Sequence, residues 1–298
     1  MSLSPFPHFP RFGRDDNAVN ESREKLSAIV TSFNEAVNIK ECLESVAFAD
    51  EVLLVDSFST DSTLDLARQV PGVRILQREY FGSAAQKNWA MDQTVCPWVL
   101  IVDADERVTP GLAREIRDLL VRGPEASYYS IRRRNLFLDR LIRHSGWSTD
   151  RVVRLLRRGA ARYPRRRVHA DIQPEGAAPT LRNPLLHYTF RSLGQYLEKL
   201  HRYAEWGAAD AYRRGKRSGA LQLFFRPAWR FVRMYVFQAG FLDGRHGLVL
   251  CTLQAYGVFL KWAKLWEWRR FDQNGWRFEL PAYDESDETW EGAASAAD

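Results

Sequence analysis

Four short apolar runs recur early in the chain: Leu26–Ser32 (LSAIVTS), Glu51–Asp56 (EVLLVD), Val73–Gln77 (VRILQ) and Trp98–Asp103 (WVLIVD). They are rich in β-branched residues, bounded by polar turns and nearly continuous in apolarity, which is the pattern of parallel strands buried on both faces. Between them, Glu35–Val46, Thr60–Gln69 and Ala84–Gln93 carry helical spacing. Thr109-Pro110 then reads as an N-cap with proline at the first helical position, opening a helix to Leu120. Alternating strands and helices predict an α/β fold, a Rossmann-like and mostly parallel central sheet flanked by helices. After Ser127 the pattern changes to short strands, at Ser127–Arg132, Arg151–Leu156, Val168–Ile172 and Leu185–Tyr188. From Ser192 onward it changes again, to helices: an amphipathic face of Leu193, Tyr196, Leu197, Leu200, Tyr203 and Ala204, then Leu221–Ala239 and His246–Arg270. The implied organisation is a tail over 1–24, a catalytic α/β domain over 25–190, a helical region over 191–275 and an acidic tail over 276–298.

Composition sharpens this only in places. With 298 residues, 45% apolar and 27% charged, the chain supports a sizeable core. Net charge is only +6, but Ile131–Ala170 holds thirteen arginines against two acids, Asp139 and Asp150. Such a block either solvates one face of a sheet or meets an anionic partner, since the guanidinium fork matches phosphate oxygens. Cys42, Cys96 and Cys251 have neither disulfide nor zinc spacing, which suits core thiols in a reducing compartment. The most apolar stretch, Gly247–Leu260, is shorter than the ~18–20 residues a spanning helix needs, so crossing a bilayer is not expected.

Chemistry gathers at the strand ends, where open α/β sheets bind ligands. The first strand ends in Thr31-Ser32-Phe33-Asn34-Glu35, the second in Asp56-Ser57, and the fourth in Asp103-Ala104-Asp105-Glu106. A single acid there is commonly a helix cap. Several carboxylates converging on one edge repel and need compensation by a divalent cation or a ligand's hydroxyls. Asp103-x-Asp105 offers hard oxygens of the kind Mg²⁺ or Mn²⁺ takes alongside a diphosphate.

The blocks LSAIVTSFNE, EVLLVDSFSTDST, FGSAAQKNWA and WVLIVDADERV resemble, in order, those of family 2 glycosyltransferases, which have the GT-A fold. The resemblance implies that Thr31, Asn34, Glu35, Asp56 and Ser57 hold the nucleotide, that Lys87 approaches the donor's phosphates, and that Asp103 and Asp105 hold ribose and metal. Segments Arg143–Asp150, Arg154–Gly159, Val168-His169, Leu186–Tyr188 and those around FLDGRHGLVL and FLKWAKLWE resemble a narrower group, the lipopolysaccharide-core glycosyltransferases related to β-1,4-glucosyltransferases acting on heptose. The glutamate usual after the Val-His pair is replaced by Ala170. The implied activity is inverting transfer of a hexose, glucose from UDP-glucose, to a lipid-linked saccharide such as the inner-core heptose.

Such a transfer needs a positioned base for the acceptor hydroxyl. Asp150 is a candidate, following Gly146-Trp147, whose ring is suited to stacking on a sugar; its plainer reading is a strand-entry residue or an arginine's partner. His169 and His187 read as structural histidines or as contacts to metal or phosphate. Trp229, Trp262, Trp266 and Trp268 are interleaved with Arg226, Arg230, Arg233, Lys261, Lys264, Arg269 and Arg270, the composition of helices lying in a headgroup layer, or of helices packing aromatics on their own domain. The expected location is peripheral, at the cytoplasmic face of a bacterial inner membrane. A glycosyltransferase loading polyprenyl phosphate is the alternative within the class. A nucleic-acid-binding protein is the alternative outside it, though acids at three strand ends argue against a nucleic-acid partner.

Overall fold

The structure, a computed structural model, describes residues 23–164, 171–172, 176 and 178–280. Most of both terminal tails, and His169 and Ala170 with most of the Val168–Ile172 strand, lie outside the described residues; Asp171 and Ile172 themselves are in no strand. The chain forms two compact units, one of residues through Arg134 with Thr149–His187, the other of Asn135–Ser148 with Tyr188 onward. Residues 135–148 cluster with the helical unit.

In the first unit the four apolar runs are strands β1 (Leu26–Ser32), β2 (Glu51–Asp56), β3 (Val73–Gln77) and β4 (Trp98–Asp103). They pair in parallel in the order β3-β2-β1-β4, which reverses direction at β1. A three-residue strand, β5 (Glu106–Val108), follows the turn at Ala104-Asp105. Next come β6 (Tyr128–Phe137), β7 (Arg140–Leu141), β8 (Arg151–Arg157) and β9 (Leu185–Phe190). β8 runs antiparallel to both β4 and β6, and β9 antiparallel to β5.

Alternate residues of the parallel strands fill two cores. Ala28, Val30, Leu54, Leu100 and Val102 face helices α1 (Ile39–Val46), α2 (Thr63–Arg68) and α4 (Pro110–Arg122) through Ile39, Leu43, Ala67, Leu112 and Ile116. Ile29, Leu53, Val55, Val99 and Ile101 face α3 (Ser83–Asp92) through Ala84, Ala90 and Met91. Each fully buried aliphatic side chain contributes about 1.5–3 kcal/mol, so these layers hold the sheet rigid behind its polar edge. Helix α4 starts where expected: the Thr109 hydroxyl accepts from the Leu112 N–H at 3.2 Å and donates to the Pro184 carbonyl at 2.9 Å. Thr109→Ala is expected to lower unfolding free energy by about 1–2 kcal/mol, read by urea denaturation.

The second unit is built on α5 (Leu193–Arg213) and α7 (Gly244–Gln273), with α6 (Arg226–Val232) between wider π-type turns at Leu221–Phe225 and Arg233–Phe237. Small residues let the long helices approach: Ala208, Ala209 and Ala211 of α5 meet Trp262, Leu265 and Trp268 of α7. A β-carbon added at Gly257 would lie 2.5 Å from Leu200 Cδ1. Phe278 and Leu280 pack on the same cluster, so ordered packing runs past the expected boundary at 275. All three cysteines are buried free thiols, and burial pushes Cys42 up to about 12.

Two features of this unit bear on how it could meet a membrane. The α7 helix has 30 residues, about 45 Å, so the short apolar stretch sits in an element that over Gly240–Gln273 is long and apolar enough to cross a bilayer. Conversely, Trp262 and Trp268 are buried, Lys264 pairs with Glu205 at 3.0 Å, and Arg269 donates to the Tyr212 carbonyl at 2.8 Å. Much of the aromatic-basic pattern at 258–270 thus packs within the unit. The exposed apolar side chains are concentrated elsewhere, at Leu221, Phe224, Phe225, Trp229, Val236, Phe237, Phe241 and Leu242.

Candidate active site

Parallel pairing brings the three acid-bearing strand ends to one edge, because Thr31 is in register with both Val55 and Asp103, and Ser32 with Asp56. This edge lies at the carboxyl side of the strands, beside the point where strand order reverses, the place where such sheets bind ligands.

The β1 and β2 ends interlock. Asn34 takes a left-handed backbone, φ 54°, with its N–H donating to Ser59 Oγ at 2.9 Å and its Oδ1 accepting from the Thr60 N–H at 2.8 Å. The Glu35 N–H donates to Thr63 Oγ1, and its carboxylate accepts from Asn38 Nδ2 at 2.7 Å. Asp56 is fully buried and accepts from Ser32 Oγ, the Ser59 N–H and Ser59 Oγ at 2.8, 2.8 and 2.5 Å. Ser57 is buried and accepts from Gln86 Nε2 at 3.1 Å. Asp56 and Ser57, expected to contact the nucleotide, are thus engaged with protein groups here, and Asp56 builds the 56–60 loop. Thr31 and Asn34 border the same loop from β1.

The β4 end carries alternating charge. Lys87, buried on α3, reaches Asp103 at 2.6 Å and lies over the Tyr163 ring at 5.4 Å. The other Asp103 oxygen accepts from Arg154 of β8, whose guanidinium also donates to Glu106 at 3.0 Å. Burial alone would raise the Asp103 pKa; Arg154 and Lys87 outweigh it and hold the carboxyl far below the usual range. Arg133 of β6 lies 3.5 Å from Glu106 and forks onto Asp150 with two bonds of 2.9 Å. The series Lys87, Asp103, Arg154, Glu106, Arg133, Asp150 alternates in sign throughout.

Asp105 leaves in another direction. Its Oδ2 is 3.3 Å from His187 Nε2 on β9. Burial disfavours the charged imidazole, but the Asp105 carboxylate more than offsets this and raises the pKa of His187. Asp103 is counter-charged by two cations, whereas Asp105 faces an imidazole. Among the described residues no cluster of three or more His, Cys, Asp or Glu is arranged to hold a metal. The pair that fits a divalent cation is Asp105 with His187, a carboxylate oxygen and an imidazole nitrogen, both partly exposed, for which Mn²⁺ or Mg²⁺ would draw its other ligands from the substrate.

Asp150 takes the plainer of its two sequence readings as regards contacts, since it partners Arg133. Trp147, expected to stack on a sugar, packs edge-on against Phe137, with centroids 6.3 Å apart, in a cluster of the second unit. Part of the arginine block is engaged within the chain: besides Arg133 and Arg154, Arg157 pairs with Glu24, Arg162 with Asp92, and Arg158 donates to the Thr94 carbonyl. Sequence reasoning missed Glu106, Arg133 and Arg154 as site residues. Their signal was a third acid after the DxD pair and unmatched arginines on neighbouring strands.

A mixed sheet with flanking helices and an acid-lined carboxyl edge defines the class, a GT-A glycosyltransferase. The chain belongs to glycosyl transferase family 2, whose model matches residues 27–186. The lipopolysaccharide core biosynthesis glycosyltransferase LpsC of Rhizobium meliloti (strain 1021) is 30% identical over 248 residues, spanning 81% of this chain and 92% of that protein. An uncharacterized glycosyltransferase of Rickettsia felis is 27% identical over 82% of this chain and 90% of its own length. The solved mannosyltransferase PcManGT of Pyrobaculum calidifontis, in complex with GDP-Man and Mn²⁺, aligns over 82% of this chain and 87% of its own at 18% identity, with a TM-score of 0.48.

Proposed function

We propose that this glycosyltransferase moves a hexose from a UDP-sugar, UDP-glucose by resemblance, with inversion, onto a lipid-linked saccharide of the lipopolysaccharide-core kind. The observation that carries the reading is the meeting of Thr31, Lys87, Asp103 and Asp105 at the edge where β1 and β4 end, joined there by His187. Thr31, Asn34, Glu35, Asp56 and Ser57 form the nucleotide side, with Asp56 and Ser57 acting mainly by shaping the loop. Lys87 approaches the diphosphate, and its bond to Asp103 is the one it exchanges for phosphate oxygens. Asp105 and His187 would hold a divalent cation, which when bound would supply charge stabilisation to the leaving diphosphate. His169 lies outside the described residues and has no structural support for a contact.

In the reaction the acceptor oxygen forms a bond to the anomeric carbon while the bond from that carbon to the diphosphate oxygen breaks. The hydroxyl proton passes to Asp150, the base of this reading. The Arg133 fork holds the carboxylate in a fixed orientation. Two arginine bonds occupy part of a carboxylate's capacity of about four acceptor positions.

Calorimetric titration with UDP, with and without Mn²⁺, tests the donor assignment. Metal-dependent UDP binding is expected in the wild type and is expected to be lost in Asp105→Asn. A folded wild type silent to UDP but binding GDP would reassign the base, and silence to both would remove the donor reading.

We also propose peripheral attachment to the inner membrane, supported by the exposed aromatic face around α6. Trp229 and Phe225 suit the headgroup boundary. Replacing both by serine is expected to lower co-sedimentation with anionic vesicles about tenfold or more, since each loses about 1.5–3 kcal/mol of burial. Wild-type protein left in the supernatant would remove the proposal. Protein extracted only by detergent and never by alkaline carbonate would instead favour a spanning α7.

A further inference from the structure

Glu106 has no exposed surface, yet no substrate role falls to it. It opens β5, directly opposite His187 on β9. One of its carboxylate oxygens accepts the backbone N–H of Asp103 at 3.0 Å. The other accepts from Arg154 at 3.0 Å and lies 3.5 Å from Arg133. Those two arginines lead in opposite directions, Arg154 back to the Asp103 carboxylate and Arg133 on to the Asp150 carboxylate. A buried anion between two guanidinium groups removes their mutual repulsion, and each guanidinium is rigid and planar, so its far end is aimed by what holds its near end.

We infer that Glu106 is a positioning residue that holds the acceptor-side carboxylate, Asp150, in register with the donor-side carboxylate, Asp103, through Arg133 and Arg154. The inference rests on the reading of Asp150 as the base. Glutamine at 106 keeps the shape and one acceptor oxygen but removes the charge that balances the pair. Arg133 is then repelled by Arg154, and its fork on Asp150 loosens.

The test is a double-mutant cycle on the full chain, with transfer from UDP-hexose to an acceptor saccharide as one readout and UDP affinity in Mn²⁺ as the other. Glu106→Gln is expected to lower kcat about tenfold to a hundredfold while UDP affinity stays within roughly twofold. Because Glu106 acts through Asp150, combining it with Asp150→Asn is expected to add little to the loss of Asp150→Asn alone, as for residues that work as a unit. Losses that multiply in full, or a kcat unchanged in folded Glu106→Gln, would overturn the inference. If Glu106→Gln does not fold, Arg133→Lys replaces it: lysine keeps the charge and loses the fork, and the same selective loss of kcat is expected. Full activity of Arg133→Lys would overturn the inference as well. Near-normal turnover in Asp150→Asn marks a different failure, that of the base assignment.

Discussion

Asp150→Asn is expected to lower turnover by about 10²–10⁴-fold, the share of rate that a positioned base supplies, and to leave UDP binding within roughly twofold. Asparagine is nearly isosteric and keeps one oxygen for Arg133, so the substitution removes the proton acceptor more than it disturbs the strand. The split between kcat and donor affinity is the informative quantity. A residue that only anchors Arg133 would, when neutralised, cost stability without a selective loss of turnover. Steady-state kinetics with both substrates varied, beside a UDP titration of the same preparation, separates the cases. Turnover within a few-fold of wild type would return Asp150 to the plainer of its sequence readings, a partner for arginine.

The second large effect is on stability. Arg154→Met leaves Asp103 and Glu106 facing each other without the guanidinium that both contact, and is expected to lower unfolding free energy by about 3–5 kcal/mol. Its pH dependence has a definite sign. Asp103 is held ionised far below its ordinary range, so its contribution is complete at neutral pH, begins to fade as pH falls below about 4, and disappears only on passing the folded-state value. Wild-type unfolding free energy should therefore decline steeply below pH ~4. In Arg154→Met that acid-side decline should be shallower and start from a lower plateau. Urea denaturation at a series of pH values checks both statements, and parallel curves for the two proteins would contradict them.

Strands β1 to β4 were legible to the residue because each is a mainly apolar run bounded by polar turns. Helix starts were less so. Helix α1 was expected from Glu35 but begins at Ile39, because Asn34 is left-handed and Asn38 folds back onto the Glu35 carboxylate. Helix α2 starts three residues late, the Asp61 side chain accepting the Thr63 N–H at 3.0 Å. The short strand β5 was missed, since Glu-Arg-Val reads as surface. It is buried only because Arg107 finds the Asn38 carbonyl and Glu41 from α1, and Glu106 finds Arg154 and Arg133. Partners so far apart along the chain leave little local trace, so the acids and Lys87 could be found from sequence while the roles of Arg133 and Arg154 could not. Trp147, an aromatic beside a glycine, has a T-shaped contact with the Phe137 ring ten residues upstream, which the sequence pattern did not announce.

The Thr31–Asp103 pairing has a consequence for how the sheet assembles. Strands that are oily on both sides gain almost the same solvent-exclusion energy when shifted by one position, so their greasy residues discriminate poorly between alignments. A shift of β4 by one residue would draw Asp103 away from both Lys87 and Arg154 and leave two cations and an acid stranded. Counter-charging of Asp103 on both sides therefore favours the observed alignment of β4 over its one-residue neighbours.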